Sequence, residues 1–173
     1  MDSDVVRGDN RDMKTRWRWS ALATGLLVLG VGGVACVGCA GPRPTDLGWN
    51  AGKLADCPSS PNCVTSQANA SDSDFVEPLR FDGDAALAWN AAVAAANALS
   101  GASVVEQRDD FLWIECKSRM FGFVDDLELA LVAAERRIEV RSASRLGYSD
   151  LGVNRARVET LRERFANELA TRR

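Results

Sequence analysis

Gly122-Phe-Val-Asp-Asp-Leu-Glu-Leu-Ala-Leu-Val132, then Ala133-Ala-Glu-Arg136, then Arg137-Ile-Glu-Val-Arg-Ser-Ala-Ser-Arg145 is the stretch that decides the fold. Side chains alternate across a strand with a period of two. Phe123, Leu127, Leu129 and Leu131 therefore share one face of the first run, and Ile138 and Val140 share one face of the second. The short connection is of hairpin length. A slip of one residue would send every apolar side chain to the wrong side. Slips of two keep the faces, and among the registers that remain the short connection selects the one that sets Glu128 opposite Arg141 on the outer face and Asp125 opposite Ser144 on the inner face.

Outward from this pair, the downstream chain passes through Leu146-Gly-Tyr-Ser-Asp-Leu-Gly-Val153 to a closing helix. Asn154 reads as its cap, and Val158, Leu161, Phe165 and Leu169 recur at helical steps of three and four. Upstream, Ser103–Gln107 and Phe111–Lys117 form a hairpin around Arg108-Asp-Asp110. Asp84 caps an alanine-rich helix from Ala85 to about Leu99, which Ser100-Gly101 stops. Phe75–Phe81 reads as a first strand, placed at an edge because Pro78 cannot donate to a ladder. The order is β-α-β-β-β-β-α: an α+β domain with an antiparallel sheet and helices on one face.

The N-terminus has a different character. Lys14, Arg16 and Arg18 precede an uncharged, largely apolar run from Ser20 to Ala35, and small residues lead to Cys36-Val-Gly-Cys39. A basic patch, an apolar stretch and small residues make the pattern of a secretory signal. The small residues before a cysteine resemble a bacterial lipoprotein signal, and Gly38 makes Cys39 the better lipid acceptor. An uncleaved anchor and simple cleavage are the alternatives, since the charge-free run is about one bilayer span long. All three put the domain outside the cytoplasm, in the cell envelope and tethered to a membrane in the first two cases. The expected organisation is a leader over residues 1–39, a flexible tether over 40–53 and one globular domain over 54–173.

Composition removes several chemistries. Histidine is absent, which excludes Ser-His-Asp and Cys-His catalysis and every histidine-containing metal site. The 134 residues after the leader carry 16 basic and 20 acidic side chains, so nothing electrostatic points to nucleic acid. No metal or other cofactor is expected. Cys57 and Cys63 bracket Pro-Ser-Ser-Pro-Asn, a loop that suits a structural disulfide in an oxidising compartment. A redox-active pair would call for closer spacing or a cationic neighbour.

Three motifs, Cys57-Pro-Ser-Ser-Pro-Asn-Cys63, Gly122-Phe-Val-Asp-Asp126 and Arg141-Ser-Ala-Ser-Arg145 with Gly147-Tyr-Ser-Asp-Leu-Gly-Val-Asn-Arg155, occur in that order. Together they resemble the family catalogued as domain of unknown function 1499, found in bacterial envelopes and plastids. The resemblance covers roughly residues 54–170 and implies a single domain without an established activity.

The polar residues around the third motif allow three roles. Arg155 and Arg157 stand in the first turn of the closing helix, where the dipole disfavours cations, so each calls for a partner. Asp125, Asp126 or Asp150 would make an internal salt-bridge network. Alternatively Arg141, Ser142, Ser144, Arg145, Asn154 and Arg155 would hold an anionic small molecule, a lipid head group or an envelope protein. Catalysis by Asp125 and Asp126 with Tyr148 as proton donor, in a hydrolase or transferase, is the third. Neighbouring strand residues face opposite ways, which counts against that dyad and favours a non-enzymatic module.

Overall fold

The computed structural model describes residues Cys39–Arg172. The leader read over residues 1–39 lies outside them except for Cys39. The elements are β1 (Cys63–Thr65), β2 (Leu79–Arg80), α1 (Ala85–Asn97), β3 (Ala102–Gln107), β4 (Phe111–Lys117), β5 (Val124–Val132), β6 (Arg137–Ser144) and α2 (Val153–Thr171). They form one antiparallel sheet in the order β1-β6-β5-β4-β3, and β2 pairs with β6 beside β1. The central register is the one that alternation dictates, with Asp125 opposite Ser144 and Glu128 opposite Arg141. A single 3-10 turn over Ala133–Glu135 joins β5 to β6, closed by Arg136 in the left-handed region.

Three elements differ from expectation. Cys63–Thr65 pairs with Ala143, Ser142 and Arg141 as a strand of its own, too short to show a periodicity. Of Phe75–Phe81, only Leu79–Arg80 joins the ladder, and Phe75 makes a single parallel bridge to Thr65. Phe123 falls just before β5 and is exposed instead of sharing the inner face of Leu127 and Leu129.

Both helices pack on one face of the sheet. Leu112, Ile114, Leu127, Leu129, Ile138 and Val140 meet Ala88, Ala92, Ala95, Val158, Leu161 and Phe165 in the main core. The alanines of α1 let it lie close to its neighbours. Asp84 caps it by accepting from the Leu87 N–H at 2.8 Å. Gly101 closes its end with φ +72°, and a Cβ there would lie 2.1 Å from the Lys117 carbonyl oxygen, so glycine alone fits.

The outer face is not open to water. Residues 40–53, read as a flexible tether, run against it: Leu47 and Trp49, with Leu54 just after the stretch, cover Phe111, Trp113 and Ala130 in a second apolar cluster. The Gly48 N–H donates to Glu128 at 2.9 Å and the Arg43 Nε to Glu115 at 2.7 Å. The strap thus buries a row of polar side chains that alternation alone would leave solvated.

Candidate functional site

The polar residues singled out by sequence fall into two networks, one on each face of the same sheet end. Asp125 and Asp126 are adjacent in β5 and therefore point apart.

On the outer face the Asp126 carboxylate accepts from Arg145 twice, from Nε at 2.7 Å and Nη2 at 2.6 Å. It also accepts from the Trp113 indole N–H at 2.7 Å. Arg145 reaches Glu115 at 2.6 Å, and Glu115 in turn holds Arg43. The Arg145 side chain is only 5% exposed and Asp126 only 2%. The Asp126 and Glu115 carboxylates raise the Arg145 pKa further above its ordinary value, against the opposing effect of burial. The hydrogen bond from Arg43, joined by those from Arg145, holds Glu115 below the usual carboxylate range. One pair further along the ladder, Arg141 Nη1 donates to Glu128 at 3.0 Å, both being buried. Complete burial pushes the Glu128 carboxyl up, and Arg141 and the Gly48 N–H only partly offset this. The Arg141 Nε is the one buried side-chain polar atom without a partner among the described residues.

On the inner face Asn154 is the hub, although not as the cap its position suggested. Helix α2 begins two residues earlier than such a cap would set, at Val153, with Gly152 as the capping position. Asp150 satisfies the free amides, accepting from Gly152 N at 2.9 Å and Asn154 N at 2.8 Å. Burial alone would raise the Asp150 pKa, but these N–H donors outweigh it and leave the carboxyl below its ordinary value. The Asn154 side chain, wholly buried, turns inward. Its amide N–H groups donate to the Asn62 carbonyl at 3.0 Å and the Ser144 hydroxyl at 2.9 Å. Its oxygen accepts from Ser142 at 2.6 Å and from Arg157. Arg157 also pairs with Asp125, beside Ser142 and the buried Cys116 thiol, whose pKa burial raises. Arg155, by contrast, donates to the carbonyls of Ser73 and Phe75, fastening the loop before β2.

The six residues read as an anion site are therefore divided between two faces. Arg141 and Arg145 lie outside, under the strap, while Ser142, Ser144 and Asn154 lie inside against α2. Of the amides at that helix end, those of Val153 and Asn154 are taken by Asp150. Tyr148, 77% exposed, stands in the loop after β6 and makes no side-chain hydrogen bond to either aspartate. Cys57 and Cys63 form a disulfide, and Cys39 is a free, partly exposed thiol. No group of three or more cysteine, aspartate or glutamate residues among those described is arranged to hold a metal.

Sequence reasoning passed over Trp113, Glu115, Arg43 and Asn62, which complete these networks. For Asn62 a signal existed: it sits directly before Cys63 in the cysteine motif. Its side chain donates to the Gly147 carbonyl at 2.6 Å, tying the disulfide loop to the loop after β6.

Open clefts occur elsewhere. One of about 570 Å³ is lined by Pro78, Leu79, Arg162, Phe165 and Leu169, between β2 and α2. Another of about 530 Å³ mixes Lys53, Arg80 and Arg137 with Asp56, Glu77 and Glu139. Neither includes Arg145. No helix among the described residues is long and apolar enough to cross a membrane.

No curated protein and no solved structure matches the chain. A family model does, over residues 53–165, and its description is "Protein of unknown function (DUF1499)". That span holds the cysteine loop, the whole sheet, α1 and most of α2, with all three motifs and both buried networks apart from Arg43 and Gly48. The chain belongs to the DUF1499 family.

Proposed function

We propose that this protein is a non-enzymatic envelope module, held at a membrane surface through Cys39. Its Arg/Asp cluster fixes the shape of the domain instead of receiving a ligand. The observation that carries the reading is how soon the fold begins after the cysteine: Gly41 already packs against Arg145 and Leu146. Two residues span at most about 7 Å. A lipid on Cys39 would thus hold the domain directly at the bilayer, without a mobile linker. The Cys57–Cys63 disulfide supports an oxidising compartment. An anionic ligand or head group at Arg145 has less support, since that guanidinium is enclosed and has carboxylate partners. Hydrolysis or group transfer by Asp125 and Asp126 with Tyr148 has less again, because the two carboxylates face opposite sides of the sheet.

The test is fractionation of cells combined with alkylation of thiols before lysis. The reading expects the protein in the membrane fraction, with Cys57 and Cys63 protected from the alkylating reagent until a reductant is added. Recovery in the soluble cytoplasmic fraction with both thiols free would overturn it.

A further inference from the structure

The loop Ser118–Phe123 joins β4 to β5, and the loop Arg145–Gly152 joins β6 to α2. The β5–β6 register brings both to the same end of the sheet, where the Arg145 N–H donates to the Val124 carbonyl. This end carries most of the large apolar side chains that the domain leaves in water. Met120 is 81% exposed, Phe121 59%, Tyr148 77% and Leu151 94%, with Phe123 and Leu146 also exposed. The Phe121 and Phe123 rings lie 6.2 Å apart and tilted, as a pair. Large apolar side chains left exposed together at one end of a domain mark a contact with something apolar.

The apolar groups here stand on projecting loops, not in a groove that would receive a helix or peptide. Lys117 precedes the first loop and Arg119 lies within it, and neither forms an ion pair among the described residues. The second loop's acid, Asp150, is occupied by the amides of α2. Aromatic and aliphatic tips with cations behind them suit the head-group region of an anionic bilayer.

Leu146 of this patch is also the residue on which Gly41 packs, so Cys39 emerges at the same end. We infer that the tips of the 118–123 and 145–152 loops dock into the lipid surface, so that the domain is held end-on with this sheet end against the bilayer. The inference rests on the tethering reading above and adds an orientation to it. A flexible tether would leave orientation free; a strap packed from Gly41 onward does not.

The experiment uses protein purified from membranes and reconstituted into phosphatidylethanolamine–phosphatidylglycerol vesicles. Phe121→Trp reports on the docking loop. Leu87→Trp reports on the opposite end, where α1 starts beside the β3–β4 turn and Leu131; Leu87 is 45% exposed there. Each is compared with the parent protein, with and without bromine-labelled lipid, after flotation with the vesicles. Expected are a blue shift and strong quenching of the emission that Phe121→Trp adds, with the Leu87→Trp emission unaffected. Flotation without selective quenching of Phe121→Trp overturns the docking while leaving the tether intact. Failure to float overturns both.

Discussion

Replacing Arg145 by alanine should be among the most damaging single changes in the domain. Its guanidinium makes three charge-assisted hydrogen bonds of 2.6–2.7 Å, two to Asp126 and one to Glu115. Glu115 would keep Arg43 after the change, so little is lost there. Asp126 would keep only the Trp113 indole, at 2% exposure, and a buried carboxylate stripped of its counter-charge is costly. Breaking a buried pair by removing one partner costs about 3–5 kcal/mol. That is a large share of the ~5–15 kcal/mol that holds a domain folded. Urea unfolding, followed by circular dichroism and tryptophan emission, should show a much lower midpoint with an unchanged slope. Trp113 emission should change in the native baseline, because its indole partner is perturbed. Asp126→Ala should cost a similar amount. The double variant should cost well under the sum, with a coupling on the order of 2–3 kcal/mol. A loss below about 1 kcal/mol for Arg145→Ala, the range of an exposed ion pair, would refute the closed-network account.

Three further outcomes follow from the same geometry. Cys57→Ser opens a loop of six residues' separation and should lower stability by ~2–3 kcal/mol on the chain-entropy model, read from the urea midpoint without reductant. Leu54→Ala, at a position only 4% exposed where the strap cluster meets Phe111 and Trp113, should cost about 2–4 kcal/mol, read from the urea midpoint. For Glu128 the folded pKa lies above the unfolded one, because burial disfavours its charge. Its stabilising contribution is therefore complete below the ordinary carboxylate pKa and is lost as pH rises through the folded value. Stability measured against pH should show Glu128→Gln gaining on the wild type across that rise, and parallel curves would contradict the assignment. Glu115 and Asp150 have the opposite sign: depressed in the fold, they contribute above the ordinary carboxylate range and lose that contribution as pH falls below it.

The parts of this fold that sequence makes legible are those in which one periodicity decides. Leu127, Leu129, Ile138 and Val140 exclude every odd slip of the β5–β6 pair, the short connection selects among the registers left, and the one so selected is observed. Val158, Leu161, Phe165 and Leu169 mark the buried stripe of α2. Asp84 followed by an alanine run marks the start of α1. The outer face was illegible for a physical reason. Asp126, Glu128, Glu139 and Arg141 alternate as a solvated face would, yet all four are buried. What covers part of that face is a Pro/Gly-rich stretch with isolated Leu47, Trp49 and Leu54, which has no period to detect. The helix end misled because Asn154 has a capping side chain. Asp150, four residues upstream, does the capping and frees Asn154 for the interior. The polar cluster could be located from sequence, but not its division into two faces with opposite partners.

The most direct test of the central claim, tethering at Cys39, is the intact mass of the mature protein extracted from native membranes. The account predicts a chain beginning at Cys39 and carrying a diacylglyceryl lipid, and a Cys39→Ser variant that lacks the modification. A mature protein with Cys39 unmodified, recovered free of the membrane, would contradict it.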